Sequence, residues 1–448
     1  MDDMALIRHD RSGPYYSNLG AIIHRDFFRY SSTTFSLQLS RALPTSYNLQ
    51  LAWAVRYEMT ITTIEKIPSP YVHHVIELPS PSEGEPSTKI SCLLHPTLIP
   101  LLPSPSATPM IEDPPYEVHN TLTKGFGMFA KRPISKGSLI ITEHPAYILP
   151  GFASNKVSLE DFEEVWRRLP REVGKEVASM ANCRTLEESP SIIDGVARTN
   201  ALTIQLEFPS NFPDKSPGAK HYGGLFLKIG RCNHSCGINA GWEWDFSTLS
   251  STLFALRDIE AGEEITNTYV HPLQSKADRW KKLQPDYRFD CDCPWCNHKD
   301  EAEQAASDRD REYIGTYVPT RPTYVKWAID LCLPDDFVIN SHLAVLPIIR
   351  KEGLHRLLPL FMEDIVRCYA ELGDEENFRL WAEETVQLCR TGQKELAEEF
   401  SLMLQNPQRN CAKWGQRKRL QEERMQQDLN YDFEADDTLI NLFGTSPP

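Results

Sequence analysis

Three cysteines within six residues, Cys291-Asp292-Cys293-Pro294-Trp295-Cys296, constrain this chain more than any other feature. Thiolates at C-x-C-x₂-C spacing can converge on one zinc ion, which takes four sulfur or nitrogen ligands in a tetrahedron. Three are supplied locally, so the fold must bring a fourth from elsewhere. Cys236 is the expected partner, because it would fasten Asn233 and His234 against the Tyr287–Phe289 segment. Cys232, Cys183 and His298 are the alternatives. The chain has eleven cysteines, an odd number. Most of the others sit singly in apolar stretches, as small buried hydrophobes do in a reducing compartment.

At 448 residues the chain has room for two or three domains. Its 41% hydrophobic and 24% charged residues are those of an ordinary globular protein. No apolar run reaches the ~18–20 residues that span a bilayer. Met1 to Asp10 carries charges of both signs and lacks an apolar h-region. The expectation is an intracellular protein, nuclear or cytoplasmic, without a membrane partner. A net charge of −15 argues against nucleic-acid binding, which needs a basic surface. It suits a basic, lysine-rich partner, or serves only solubility.

Residues 1–112 read as an N-terminal arm and linker. Trp53, Val55 and Tyr57 alternate, and then a Pro/Ser-rich run from Ile67 to Pro115 has the composition of a linker or disordered arm. A domain at 113–272 follows, with short β-type runs broken by Gly and Pro: Gly127–Ala130, Ser138–Thr142, Tyr147–Leu149, Leu225–Lys228, Gly241–Trp244, Thr252–Ala255 and Glu264–Thr268. Phe162, Val165, Trp166 and Leu169 fall at helical spacing, which predicts a helical insert over about 155–190 with its helix at Leu159–Met180. Residues 273–300 hold the cysteine cluster. Residues 305–410 are helical in pattern: Tyr324, Trp327, Ala328 and Leu331 form one stripe, and Leu357, Leu360, Phe361, Ile365 and Tyr369 another. Gly373 and Asp374 then mark a turn into a partner helix carrying Phe378, Trp381 and Leu388. Such hairpins resemble tetratricopeptide repeats, without a strict period. Residues 411–448 read as a polar, acidic tail, in which Arg417-Lys418-Arg419 is expected to be a solvated helix face. The fold class is α+β, small sheets with a helical insert followed by an all-α region.

Four segments carry chemistry. Lys124-Gly125-Phe126-Gly127 places two glycines where backbone can approach a ligand, although taken alone a plain hairpin turn explains them better. Arg231-Cys232-Asn233-His234-Ser235-Cys236 is a dense polar run directly after apolar Leu225–Ile229, suited to gripping a polar ligand or to forming a loop with a satisfied histidine. A strand after Ala261-Gly262 delivers Tyr269 at its end, where a tyrosine most often packs. Tyr287-Arg288-Phe289 then leads into the cysteines.

In this order and at these distances, the four segments resemble the SET-domain protein lysine methyltransferases. The similarity is greatest to the SET-and-MYND branch, whose cysteine cluster follows the SET domain. It covers about residues 115–300, and the helical region resembles that branch's C-terminal domain. The resemblance implies S-adenosylmethionine as methyl donor and a structural zinc. It implies that Lys124, Gly125, Phe126 and Gly127 line the cofactor, that Asn233 and His234 hold it, and that Tyr269 stands beside the transferred methyl. Tyr287 and Phe289 would close over the cofactor and form the lysine channel, with Tyr269 and Tyr287 as the catalytic pair. Cys236 would join Cys291, Cys293 and Cys296 on zinc. Asn200 resembles an asparagine that precedes the Asn-His-Ser-Cys strand and touches the cofactor.

The chain departs from the branch in lacking a MYND finger, since residues 1–115 contain only Cys92. Gly237-Ile238 also replaces the acidic residue and proline usual before Asn239, and Cys232 replaces a bulky apolar residue. The implied substrate is a protein lysine, a basic histone tail being one candidate, with a further protein partner on the helical region. The alternative is a SET fold that has lost catalysis and binds partners through its helices. Retention of Asn233, His234 and Tyr269 favours the enzyme, because a scaffold needs none of them.

Overall fold

The computed structural model describes residues 69–79, 88–105, 108, 111–121, 124–151, 157–213 and 220–427. The Met1–Asp10 pattern and the Trp53–Tyr57 alternation lie outside the described residues. The chain begins with strands β1 (Val72–Glu77) and β2 (Lys89–Leu94), followed by β3 (Tyr116–Thr121), β4 (Gly125–Ala130), β5 (Leu139–Glu143) and β6 (Tyr147–Pro150). A helical insert comprises α1 (Leu159–Arg168), α2 (Arg171–Ala178) and α3 (Ile192–Asn200). Strands β7 (Leu202–Ile204), β8 (Tyr222–Leu225), β9 (Asn233–His234), β10 (Ala240–Asp245), β11 (Ser250–Ala255) and β12 (Glu264–Asn267) complete the β region, and α4 (Lys276–Tyr287) leads to the cysteines.

These strands form three small sheets, ordered β1-β2-β6-β8-β7, β10-β11-β5 and β3-β4-β12-β9. The first sheet corrects the linker reading of Ile67–Pro115. Strand β2 lies inside it, antiparallel to β1 and parallel to β6. Ile90, Cys92, Leu93 and Leu94 are 0% exposed. A continuous apolar run suits a strand covered on both faces. Proline and serine mark the ends of these elements, and averaging composition over the whole stretch hid the six-residue run between them.

The insert also differs from expectation. The helix expected over Leu159–Met180 is two helices, split at Pro170, and α3 carries the insert to Asn200, past residue 190. Helix α1 starts in a capping box in which Ser158 Oγ accepts from Asp161 N–H and Asp161 Oδ2 accepts from Ser158 N–H. Such a cap stabilises a helix by about 1 kcal/mol. Val165, Val177, Ile193 and Val196 then bury themselves against Tyr147, Leu149 and Leu225 of the first sheet. The run expected as a strand over Leu225–Lys228 leaves the sheet after Leu225 and turns at Ile229–Arg231.

The C-terminal region is helical: α5 (Glu301–Thr320), α6 (Tyr324–Ile329), α7 (Phe337–Lys351), α8 (Leu358–Leu372), α9 (Glu375–Cys389), α10 (Lys394–Gln405) and α11 (Pro407–Asn410). Helices α8 and α9 form the expected hairpin: Gly373 ends the first, and Asp374 Oδ1 caps the second by accepting from Asn377 N–H at 3.1 Å. Among the described residues no helix is long and apolar enough to cross a membrane. The region is seated on the sheets through Arg356–Glu243 (2.5 Å), Lys136–Glu384 (3.3 Å) and a bond from Thr391 Oγ1 to Gly137 O (2.7 Å). Arg417 corrects the solvated-face reading. It is 0% exposed and donates to the carbonyls of Trp327, Asp330 and Leu333 and to Asp335 Oδ1. Its guanidinium binds carbonyls of the last turn of α6 and of the turn that follows it, a role invisible in a basic tripeptide.

Candidate active site and metal centre

One parallel pairing assembles the site. Asn233 and His234 of β9 lie beside Thr266 and Asn267 of β12. Tyr269, two residues beyond, therefore emerges next to His234, and its N–H donates to His234 Nδ1 at 3.0 Å. A neutral imidazole that accepts at Nδ1 carries its proton on Nε2. That nitrogen stands 3.4 Å from Cys236 Sγ. His234 thus joins the strand-end tyrosine to the cysteine cluster.

Helix α4 and its left-handed stop at Arg288 (φ 61°) deliver Tyr287 and Phe289 onto the same spot. The Tyr269 and Tyr287 ring centroids are 4.8 Å apart, and Phe289 meets Tyr269 edge-on at 6.4 Å. Tyr269 Oη donates to Cys232 O at 2.9 Å. Tyr269 and Tyr287 line a small cleft, partly open to solvent, with Asn200, Ile229, Cys232 and Asn267. Three aromatic faces at one point suit a sulfonium or an alkylated ammonium through cation–π attraction.

The glycine segment packs beside Asn233. Gly125 (φ 71°) turns the β3–β4 hairpin. Gly127 allows a close approach: a Cβ there would lie 2.9 Å from Glu264 Oε1 and 3.0 Å from Asn233 Nδ2. Asn233 Nδ2 donates to Glu264 Oε1 at 2.7 Å and to Phe126 O at 3.4 Å. Lys124 Nζ lies 3.4 Å from Glu264 and 3.6 Å from Asp292, so it spans from the hairpin to the cysteine loop. Phe126 is exposed, with the Arg231 guanidinium 5.2 Å over its ring. Asn200 lines the cleft, but its amide donates to Ala181 O and Val196 O, fastening the end of α3.

The four sulfurs of Cys236, Cys291, Cys293 and Cys296 lie within 4.8 Å of one another, and all four residues are buried. Cys236 Sγ is 3.9 Å from Cys291 Sγ and 3.5 Å from Cys296 Sγ. A tetrahedron with Zn–S bonds of about 2.3 Å has edges of about 3.8 Å, so this donor set fits zinc in kind and spacing. The alternative fourth ligands are elsewhere: Cys232 Sγ packs on Met128 Sδ at 3.8 Å, Cys183 Sγ bonds Thr199 Oγ1 at 3.3 Å, and His298 is not in the group. Arg279, fully buried, donates to Cys236 Sγ at 3.1 Å and faces Cys296 Sγ at 3.6 Å. A zinc held by four thiolates would carry a net charge of about −2, about half of which this guanidinium would offset.

Several residues of the site escaped sequence reasoning. Glu143 accepts N–H bonds from Lys228 and Ile229 at 2.9 and 3.0 Å and so holds the turn that lines the cleft. Burial pushes its carboxyl up to about 7, against the pull of those donors. Asn239, 1% exposed, accepts from Thr266 N–H at 2.8 Å and donates to Glu264 O at 2.8 Å, splinting β12. Asn239→Ala strands both backbone groups and is expected to cost about 3 kcal/mol in urea denaturation. A loss below about 1 kcal/mol would show that water or a neighbour replaces it. Glu143 has no sequence signal, because its partners are remote backbone groups, and Asn239 entered the sequence reading only as the end of the Asn-His-Ser-Cys run.

Residues 125–270 match the SET domain family. The chain is similar to the histone-lysine N-methyltransferase set5 of Schizosaccharomyces pombe, at 30% identity over 45% of this chain and 56% of the relative. It is similar to the protein-lysine N-trimethyltransferase SMYD5 of Gallus gallus (38% identity, 20% of this chain and 23% of the relative). It is also similar to the histone-lysine N-methyltransferase SMYD3 of Homo sapiens (40% identity, 17% and 18%). The match thus spans about half the length of the first relative and less than a quarter of the other two.

Proposed function

We propose that the SET domain of this chain transfers a methyl group from S-adenosylmethionine to a lysine side chain of a protein. One observation supports this above the others: the Tyr269 N–H bond to His234, with the Tyr287 ring beside Tyr269 and the Phe289 ring beside both. A scaffold needs no such convergence at a cleft.

The cofactor, when bound, supplies an electrophilic methyl on a positively charged sulfur. The remaining work falls to this chain's residues. Asn233, oriented by Glu264, and His234, oriented by the Tyr269 amide, are the polar groups that would hold the donor. Gly127, which lacks a Cβ and so lets Glu264 and Asn233 approach its backbone, would help to place Asn233 against it. A free lysine of pKa about 10.4 has fewer than roughly one amine in a thousand neutral at pH 7. Burial among Tyr269, Tyr287 and Phe289 favours the neutral amine by desolvation. The Tyr269 hydroxyl has its proton committed to Cys232 O, so it acts as an acceptor that aims the amine rather than as a proton source. Orientation of this kind supplies much of the rate in a displacement between two held partners. Zinc on Cys236, Cys291, Cys293 and Cys296 would fix the loop that carries the aromatic cap. A basic protein segment, such as a histone tail, suits the acidic chain as substrate, and with it a nuclear or cytoplasmic site of action.

Calorimetry of the zinc-loaded protein against S-adenosylmethionine and S-adenosylhomocysteine tests the reading. Labelled-methyl transfer onto a cell lysate then tests the acceptor. Binding of both nucleosides and label on lysine are the expected results. No binding of either would favour an interaction module built on a SET fold.

A further inference from the structure

The helical region reaches into the cysteine cluster at one corner. Arg311 of α5 is fully buried, as is Glu352 at the end of α7, and the two are paired at 3.0 Å. Arg311 Nη1 donates to Cys236 O at 3.2 Å and also to Pro272 O, while Nη2 donates to Glu352 O at 2.9 Å. Ser307 Oγ adds a bond to Glu352 Oε2 at 2.6 Å. Cys236 lies two residues after His234, and Pro272 three after Tyr269. One guanidinium therefore ties the backbone leaving each strand of the His234–Tyr269 pair.

A second contact falls at the same corner. Trp295, between Cys293 and Cys296, donates its Nε1–H to Lys351 O at 3.0 Å. Its ring fills the space over Gly237 and Gly353: a Cβ on either would lie 2.5 Å from Trp295 carbons. Any side chain at either position would collide with that ring. Burying an ion pair brings little net stability, so so complete a pairing argues for fixing geometry.

We infer that the helical region is a positioning part of the transfer site, with Arg311 and the Lys351–Gly353 corner setting the His234–Tyr269 pair and the aromatic cap. The inference rests on the proposed methyl transfer for its consequence, but not for its test. In the full chain, Arg311→Met with Glu352→Gln removes both charges and keeps volume. The double variant is expected to retain its helix content, lose zinc to a chelator about tenfold faster, and bind S-adenosylmethionine about tenfold more weakly. Hydrogen exchange should accelerate at 234–238 and 269–273 and stay unchanged in the β10–β11 hairpin. Arg311→Lys, which keeps the charge but not the fork, should show the same local pattern at smaller amplitude. Should the double variant fail to fold, Arg311→Lys decides by that pattern alone. Exchange that is unchanged, or raised uniformly along the chain, overturns the inference. A wild-type protein that binds no S-adenosylmethionine would sink the proposed function and leave the exchange result standing.

Discussion

Tyr269→Phe is expected to cut methyl transfer by about a hundredfold while barely moving the thermal transition. The ring contacts to Tyr287 and Phe289 survive the change, since they involve carbon faces. Only the hydroxyl is lost, and with it the bond to Cys232 O. A single hydrogen bond of that kind contributes about 1 kcal/mol to stability. Its loss from the cleft removes the acceptor that would aim the amine, and misplacement by an ångström costs about two orders of magnitude in rate. Turnover at saturating donor and peptide, read beside a melting curve, checks both halves. Unchanged turnover takes the hydroxyl out of the mechanism.

Cys293→Ser should have the largest effect on the metal centre. Cys293 Sγ accepts the Cys236 N–H at 3.4 Å, so this sulfur joins the two halves of the cluster directly. Zinc affinity should fall by more than about 100-fold, beyond the ~10–100-fold that loss of an outer hydrogen-bonding partner costs. The Arg279 guanidinium would then face an incomplete thiolate set with no cation to balance it. The Tyr287–Phe289 cap, packed on the same cluster, should loosen and weaken donor binding. Metal analysis of the purified variant and calorimetry with S-adenosylhomocysteine measure the two effects. Full zinc content would contradict the ligand set.

Much of the candidate site was legible because its chemistry is written in local runs. The Asn233-His234 pair, the cysteine triplet and Tyr269 after its Gly262 turn each occupy a few consecutive residues, and their order along the chain was enough to suggest a family. The choice of Cys236 used the same reasoning, since it would fasten the Asn233-His234 pair against the Tyr287–Phe289 segment, but only the fold set it apart from Cys232 in the same run. Asn200 reaches the cleft, and its amide also fastens the end of α3 through Ala181 and Val196, a second role that no local run displays. The Pro/Ser-rich stretch before Tyr116 shows a weakness of the method, because composition averages over a strand as short as β2.

By itself the sequence determined which side chains could hold a donor and a metal, where helices replace strands, and that the cysteine triplet must close with a distant ligand. The tertiary structure decided how these come together. Parallel pairing of β9 with β12 set His234 beside Tyr269, and burial selected Arg279, Arg311, Asn239 and Arg417 as partners of particular sulfurs and carbonyls. The reason is physical: a polar group buried away from water must find its partner, and that partner is chosen by proximity in space, which a one-dimensional pattern does not carry.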